Sequence, residues 1–462
     1  MTQKPLWTAE EICAATRSSL CSRESWEASG ITINSKEVEK GDIFVAIKGE
    51  KVDGHDFLEE VFEKGAIAAI VEHAPATSHN YVVVRNTQEA LMDIGRAARN
   101  RLNGTIIGVT GSAGKTSTKD MLALVLGAQG KTFATKRSFN STITAPLSLA
   151  STPVDSDYGV FEIGMNEPGE IAELTKIIRP HIGIVTTVGA GHLQNFASVE
   201  DIAGEKASIV LGVPASGIVI LPGDNPFYGT LKKVAQDRGI DNIYAFGESS
   251  TCDARLLKTT EENGVYHHTV SVLGEEHTFT LHLPGKHWAL NALICLLVIK
   301  VLKKDMKKAC QTLATYSPPE RRGVPVMLKE DILLVDESYN ANPISMTVAL
   351  ESFGLRKIKG KKIAVLGDMR ELGHDAPTLH AALKDAVVKS GSSILFTYGE
   401  NMEYLHKAIG NTMKAQHFSS MEKLIQKLFD TVQPHDAIMV KSSNGVGFIQ
   451  IINALKEKLA GD

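Results

Sequence analysis

The hydrophobic pattern changes period several times along the chain. Short apolar runs at Ile43–Ile47, Ala66–Val71 and Tyr81–Val84 read as strands, with a helical stretch over 57–64 between the first two. A helix is expected over Thr87–Arg101. A strand at Ile106–Val109 then turns through Gly111-Ser112-Ala113-Gly114-Lys115-Thr116 into a helical pattern carrying Met121, Leu122, Val125 and Leu126. Further on, Val160–Ile163 and Ile182–Val188 read as strands, and a helix starts at Ser198, which pairs with Asp201 as a capping box. The segment from about 215 to 285 is rich in strand and turn signals and predicts an antiparallel extension of the central sheet. Ala289–Leu302 is a buried helix. After Ser317-Pro318-Pro319, four apolar runs (Ile332–Val335, Ile363–Leu366, Ile394–Thr397, Ala437–Val440) alternate with helical patterns and predict a doubly wound unit. The expected organisation is therefore α/β in three domains, 1–85, 86–322 and 323–462.

Strand, glycine loop and helix together make a phosphate cradle: backbone N–H groups and the helix N-terminus face an anion. Lys115 is placed to reach terminal phosphates and the Thr116 hydroxyl to meet Mg²⁺. Only two residues separate Gly111 from Gly114, fewer than in the usual phosphate-loop pattern, and Gly108, Gly111 and Gly114 do not form GxGxxG, which disfavours a dinucleotide site.

Three other side chains stand out, each with two readings. Glu162 lies inside an apolar run beside the loop and is either a metal ligand or an edge-strand carboxylate. His192 follows a strand's C-terminal end, where open α/β sheets collect ligands, and is otherwise a solvated loop histidine. Lys206 shares a stripe with Ile202, Ile209 and Val213; it either snorkels to water or turns into the site. Asn291 reads as a surface polar residue or a nucleotide contact, and Asp336, Asp368 and Lys441 sit just past strand ends.

Composition narrows the class. The 462 residues are 43% hydrophobic and 22% charged, with a net charge of −4, which supports several packed cores and gives no basic footprint for nucleic acid. Five cysteines without a CxxC fit free thiols in a reducing compartment. The N-terminus lacks a signal-peptide pattern and no run is long enough to span a bilayer, so a cytoplasmic protein is expected.

Seven segments in order, VDGHDF (52–57), TGSAGKTSTK (110–119), FEIGMNEPGEI (161–171), IAGEKASI (202–209), LPGKH with LNAL (283–293), DESYNANPISM (336–346) and VLGDMRELG (365–373), resemble the Mur ligases. The resemblance covers nearly the whole chain and is nearest to the branch that adds D-Ala-D-Ala to UDP-MurNAc-tripeptide. It implies a small α/β UDP-binding domain, a central P-loop-type ATPase domain with a mainly parallel sheet, and a C-terminal Rossmann-like domain. It also implies ATP-dependent amide ligation through an acyl phosphate in peptidoglycan synthesis. ATP and two Mg²⁺ ions are the implied cofactors, and Lys206 is expected to be carbamylated.

By the same resemblance Gly111 to Ser117 hold the ATP phosphates. Lys115, Glu162, His192 and Lys206 are catalytic, and Thr116, Glu162, His192 and Lys206 serve the metals. Asn291, Arg322 and Asp336 contact nucleotide; Ser35 and Lys36 read the UDP group; Asn140, Asn340 and Asn342 meet substrate. Lys36 stands where the family usually has Arg, and Trp288 where it often has Asn. A monomer is expected, with the third domain swinging about the linker at Ser317 to Arg322. A sister ligase adding another amine and a non-catalytic nucleotide-binding protein are the alternatives.

Overall fold

In the computed structural model, residues 4–18, 25–49, 51–76 and 78–459 are described. Cys21 lies outside them; Cys252, Cys295 and Cys310 are free thiols. Among the described residues three sheets follow one another, preceded by a short antiparallel pair, β1 (Trp7–Thr8) with β2 (Glu27–Ala28).

The first sheet is parallel and contains β3 (Gly30–Thr32), β4 (Asp42–Val45), β5 (Ala68–Val71) and β6 (Tyr81–Val83) in that order. The VDGHDF segment clasps it. His55 Nδ1 lies 2.6 Å from Asp53 Oδ1, and Nε2 accepts from Glu72 N, so the ring ties a 3-10 turn to the end of β5. Trp7 fastens this unit to the next: its indole donates to Ala150 O at 2.8 Å and the Arg101 guanidinium stacks on its ring.

The central sheet consists of β7 (Thr105–Thr110), β8 (Thr132–Ala134), β9 (Tyr158–Glu162), β10 (Ile182–Val185), β11 (Ile218–Pro222), β12 (Asn242–Gly247), β13 (Ala254–Glu262), β14 (Val265–Val272) and β15 (Glu275–Leu281). Its spatial order is β15-β14-β13-β12-β11-β10-β7-β9-β8. Every pairing from β8 to β13 is parallel, and only the β13–β14 and β14–β15 pairings are antiparallel. The expected antiparallel extension is therefore confined to its last three strands. A parallel sheet covered on both faces needs apolar side chains on both. Along β7, Ile106 enters one core while Ile107 and Val109 enter the other, under the helix Lys115–Gly127 and the mostly apolar helix Lys286–Val301. No helix of the described residues is long and apolar enough to cross a membrane.

Three expectations are corrected here. The run 182–188 pairs only as far as Val185, because Thr186 turns aside to hold the phosphate loop. The helix after Ser198 ends at Ala207 and tightens into a 3-10 turn, Ser208–Gly212, where Thr175 Oγ1 donates to the Ile209 carbonyl. Ile209 and Val213 are thus off the helix that carries Lys206. Ser198 still caps that helix, accepting from Asp201 N, but its hydroxyl donates to the Asp201 carboxylate, so the reciprocal box is incomplete.

The third sheet comprises β16 (Val324–Met327), β17 (Leu333–Glu337), β18 (Lys362–Gly367), β19 (Ile394–Tyr398), β20 (Lys414–Phe418) and β21 (Ala437–Lys441), ordered β16-β17-β21-β18-β19-β20. All pairings but β16–β17 are parallel. Separate cores cover its two faces, as in a doubly wound unit.

Candidate active site

The phosphate loop leaves the C-terminal end of β7. Gly111 (φ +145°) and Gly114 (φ +80°) adopt backbone that side chains rarely tolerate, and a Cβ at Gly111 would stand 2.0 Å from Thr186 Oγ1. The neighbouring strand end braces the loop: Thr186 Oγ1 donates to the Ala113 carbonyl at 2.5 Å, and Ser112 N donates to Thr187 O. Ser112 Oγ is spent on Gly189, so this residue offers the loop its backbone and not its hydroxyl.

Lys115 folds back to the Gly111 carbonyl, Nζ to O 2.7 Å. Burial lowers its pKa, Glu162 opposes that shift, and Arg322 adds to it. The Thr116 hydroxyl donates to Glu162 Oε2 at 2.7 Å, while Asn140 Nδ2 donates to Glu162 Oε1, also at 2.7 Å. Glu162 is the last residue of β9, which lies between β7 and β8, and it is almost wholly buried, so the edge-strand alternative is overturned: its carboxylate is satisfied by hydrogen bonds beside the loop.

A hydroxyl and a carboxylate in contact are hard oxygen donors of the kind Mg²⁺ takes, with substrate phosphates completing its shell. Among the described residues no three His, Cys, Asp or Glu side chains converge. Of the four side chains expected at the metals, the structure brings Thr116 and Glu162 together. His192 instead sits at φ +61° with Nδ1 2.6 Å from Glu371 Oε2. The His192 contact holds the Glu371 carboxyl below its ordinary range.

Lys206 turns inward, as one of its two readings required. It is 2% exposed, and the partner of Nζ is Met165 Sδ at 3.7 Å. Burial, and then the Lys115 charge, hold its pKa well below 10.5; Glu205, whose carboxylate accepts from Gly169 N and Ile171 N, opposes them.

The third unit reaches the loop directly. Asn342 caps the helix Pro343–Gly354 and its Nδ2 donates to Ser112 O at 2.8 Å. Arg322 lies over the Tyr339 ring and donates to Ser138 Oγ, which is 3.3 Å from Thr116 Oγ1. Lys441, at the end of β21, donates to the Asn340 carbonyl and lies 3.4 Å from Glu337. Asp336, buried at the end of β17, accepts from Ser338 N. Asn291 is buried, and a Cβ at Gly114 would stand 3.1 Å from its Oδ1, so the amide faces the loop, which answers the surface alternative; Trp288 is core, tilted against Tyr316. Ser117 is buried on the loop helix. Ser35 and Lys36 lie in a 3-10 turn farther out, where Lys64 Nζ donates to the Ser35 carbonyl. The adjacent Glu37 meets Arg137 at 3.2 Å, so the first unit touches the segment that carries Asn140.

Lys119 supports the site from behind and was passed over by sequence reasoning. Its ammonium is buried and donates to Thr135 O and Arg137 O at 2.7 and 2.8 Å, with Asp120 Oδ1 at 2.9 Å. It thereby ties the loop helix to the polar segment bearing Ser138 and Asn140. Its place in TGSAGKTSTK was the available signal. Lys119→Met is expected to destabilise the fold by about 2–4 kcal/mol, since it strands two carbonyls and a half-buried carboxylate. Urea unfolding measures the loss, and amide exchange over 135–143 should accelerate with it.

A parallel sheet with a phosphate loop at its C-terminal edge, met by a doubly wound unit that hydrogen-bonds to that loop, defines the class of ATP-dependent ligases. The comparisons agree. The chain matches the Mur ligase family catalytic domain over residues 27–102, the Mur ligase middle domain over 109–299 and the Mur ligase glutamate ligase domain over 321–444. The UDP-N-acetylmuramoyl-tripeptide–D-alanyl-D-alanine ligase of Rickettsia prowazekii (strain Madrid E) is 31% identical over 426 residues, 92% of this chain and 94% of that protein. The crystal structure of MurF from Acinetobacter baumannii superimposes with a TM-score of 0.87 at 25% identity, covering 99% of this chain and 100% of that one. MurF ligase from Thermotoga maritima, solved in complex with ADP, gives 0.78 at 28% identity over 93% and 97%. The chain belongs to the Mur ligase family, in its MurF branch.

Proposed function

We propose that this protein joins D-alanyl-D-alanine to UDP-N-acetylmuramoyl-tripeptide, with ATP cleaved to ADP and phosphate. One observation carries the reading: Lys115, Thr116, Glu162, Asn140, Arg322 and Asn342 form one hydrogen-bonded and charge-coupled cluster to which the central and third units both contribute. A tripeptide carboxylate oxygen attacks the γ-phosphorus, the bond to ADP breaks, and an acyl phosphate results. The dipeptide amine then adds to the acyl carbon, loses a proton, and the tetrahedral centre expels phosphate.

Both steps bring anions together, so catalysis lies in positioning and charge compensation. Lys115 and the loop amides hold the γ-phosphate, and Arg322 adds positive charge from the hinge. Asn291 lies on the adenine side and Asp336 on the ribose side. Asn140 orients the tripeptide nucleotide, whose UDP end reaches Ser35 and Lys36. Asn340 and Asn342 stand nearest the incoming dipeptide, although the Asn342 amide also closes the third unit onto Ser112. Domains 1–85, 86–322 and 323–462 thus bind sugar nucleotide, ATP and dipeptide, and their contact keeps water from the acyl phosphate.

Thr116 and Glu162 would hold one Mg²⁺, and His192 with Lys206 would serve a second; bound there, the ions withdraw charge from the phosphate oxygens. Burial and the Lys115 charge favour the neutral amine of Lys206 over its ammonium, and a neutral amine can add CO2, releasing a proton and becoming a carbamate anion. That reaction would replace an amine with an oxygen donor. The substrates are soluble cell-wall precursors, which fits the cytoplasm.

Purified protein with UDP-MurNAc-tripeptide, ATP and Mg²⁺ should release phosphate only when D-Ala-D-Ala is added. Equal turnover with a single amino acid would sink the assignment in favour of a sister ligase.

A further inference from the structure

The opposite edge of the central sheet carries a cavity of about 470 Å³ whose charged side chains are all basic: Arg99, Lys176, Arg179, His181 and Arg238. It lies at the N-terminal ends of β7 and β10, where His181 immediately precedes β10 and its Nδ1 accepts from Ile106 N at the start of β7. The phosphate loop leaves the other end of β7, five residue steps away, roughly 17 Å at about 3.3 Å per residue. The two sites are separate.

No Asp or Glu lines this cavity. Elsewhere on the surface Lys64, Arg96, Lys131 and Lys407 each pair with a carboxylate. In a chain of net charge −4, four unneutralised cations in one hollow are not a consequence of composition. The buried floor shows their mutual repulsion. Arg99 is pushed down to about 10 by burial and by Arg179, and His181 is lowered by burial and by Arg99.

Hydrogen-bond accounting points the same way. The Arg99 guanidinium is fixed by donation to the carbonyls of Ile178, Leu102 and Arg179, and the Arg179 guanidinium by donation to Asn100 Oδ1. Since His181 Nδ1 accepts from Ile106, the neutral ring carries its hydrogen on Nε2. That N–H faces Arg99 Nη2 across 3.4 Å, donor against donor. An acceptor oxygen bearing negative charge satisfies both. Exposed Lys176, Arg179 and Arg238 form the rim.

We propose that this hollow is a second anion site, built for a phosphate group carrying two negative charges. Planar guanidinium forks and a ring N–H match a tetrahedral oxyanion with several acceptor oxygens. The same chemistry is offered by free inorganic phosphate and by the phosphate end of a small monoester.

Calorimetric titration of the full chain tests this, with the phosphate loop filled by a non-hydrolysable ATP analogue and Mg²⁺. Inorganic phosphate and glycerol phosphate are titrated separately, with citrate as a non-phosphate anion. Saturable binding is expected in the wild type, weaker by roughly tenfold or more in the Lys176→Ala/Arg179→Ala/Arg238→Ala variant and in Arg238→Glu alone. These side chains are exposed, so folding should be retained, and circular dichroism checks it. Tighter binding of phosphate names the free ion as occupant, and tighter binding of glycerol phosphate names a monoester. No saturable heat, binding undiminished in the variants, or citrate bound as well as either phosphate would overturn the proposal. Ligase activity does not enter the readout, so this test and that of the proposed reaction fail independently.

Discussion

Lys206→Ala is expected to abolish ligation, with turnover falling by about three orders of magnitude or more, as when a preorganised charge is removed from a transition state. The protein should nevertheless fold. The ammonium form of Lys206, buried beside Met165 and repelled by Lys115, is a liability to the apo structure, because among the described residues the hydrogen-bond partner of Nζ is a thioether and not a carboxylate. Lys206→Met, which fills the same volume, is therefore expected to be more stable than the wild type at neutral pH in CO2-depleted buffer, by on the order of 1–4 kcal/mol.

The sign follows from linkage. The folded-state pKa lies below the unfolded value, so the unfolded chain binds the extra proton between the two. The penalty is complete below the folded pKa and fades as pH rises toward 10.5, where wild type and Lys206→Met should converge. Thermal unfolding across that range measures this. Bicarbonate should not restore Lys206→Ala, whereas short carboxylic acids should restore part of its activity by occupying the vacated space as anions. Unimpaired turnover in Lys206→Ala would refute the role given to this side chain.

The strands that position the site were legible because parallel strands covered on both faces must be apolar throughout; β7, β9, β17, β18, β19 and β21 all show it. Glu162 was visible for the same reason, as a carboxylate at the end of such a run, where β17 likewise ends in Asp336 and Glu337. The edges were not. β16 contains Pro325 and is half-exposed, and β20 alternates exposed and half-buried positions, so neither forms an apolar run. Side-chain destinations were the other blind spot. A lysine in a helix reads as solvated, and nothing local to Lys119 says that the carbonyls of Thr135 and Arg137 will arrive beside it. Asn342 reads as a helix cap, which it is, but its second bond to Ser112 spans 230 residues and exists only once the third unit has closed. The basic hollow at Arg99 and His181 is assembled from four separate segments and had no linear motif.

Glu162→Gln separates charge from shape at the centre of the site. The carboxylate accepts from two neutral donors, the Thr116 hydroxyl and the Asn140 amide. Glutamine keeps its volume and can still accept from Asn140 through Oε1. Its amide then faces Thr116, whose hydroxyl can turn to accept and donate instead toward Ser138 Oγ, 3.3 Å away. Stability should therefore change by only about 1 kcal/mol, the scale of one rearranged hydrogen bond. What is lost is the negative charge. The Lys115 ammonium loses the group that offsets its burial, and the oxygen pair offered to Mg²⁺ becomes neutral. Turnover is expected to fall by about a thousandfold, with a higher Mg²⁺ requirement, while the melting temperature stays close to that of the wild type. Asn140→Ala removes one donor and leaves the charge, so it should cost markedly less. If Glu162→Gln retained most of its turnover at unchanged Mg²⁺, the buried carboxylate would be a structural anchor for Thr116 and Asn140, and the metal would have to be held elsewhere in the cluster.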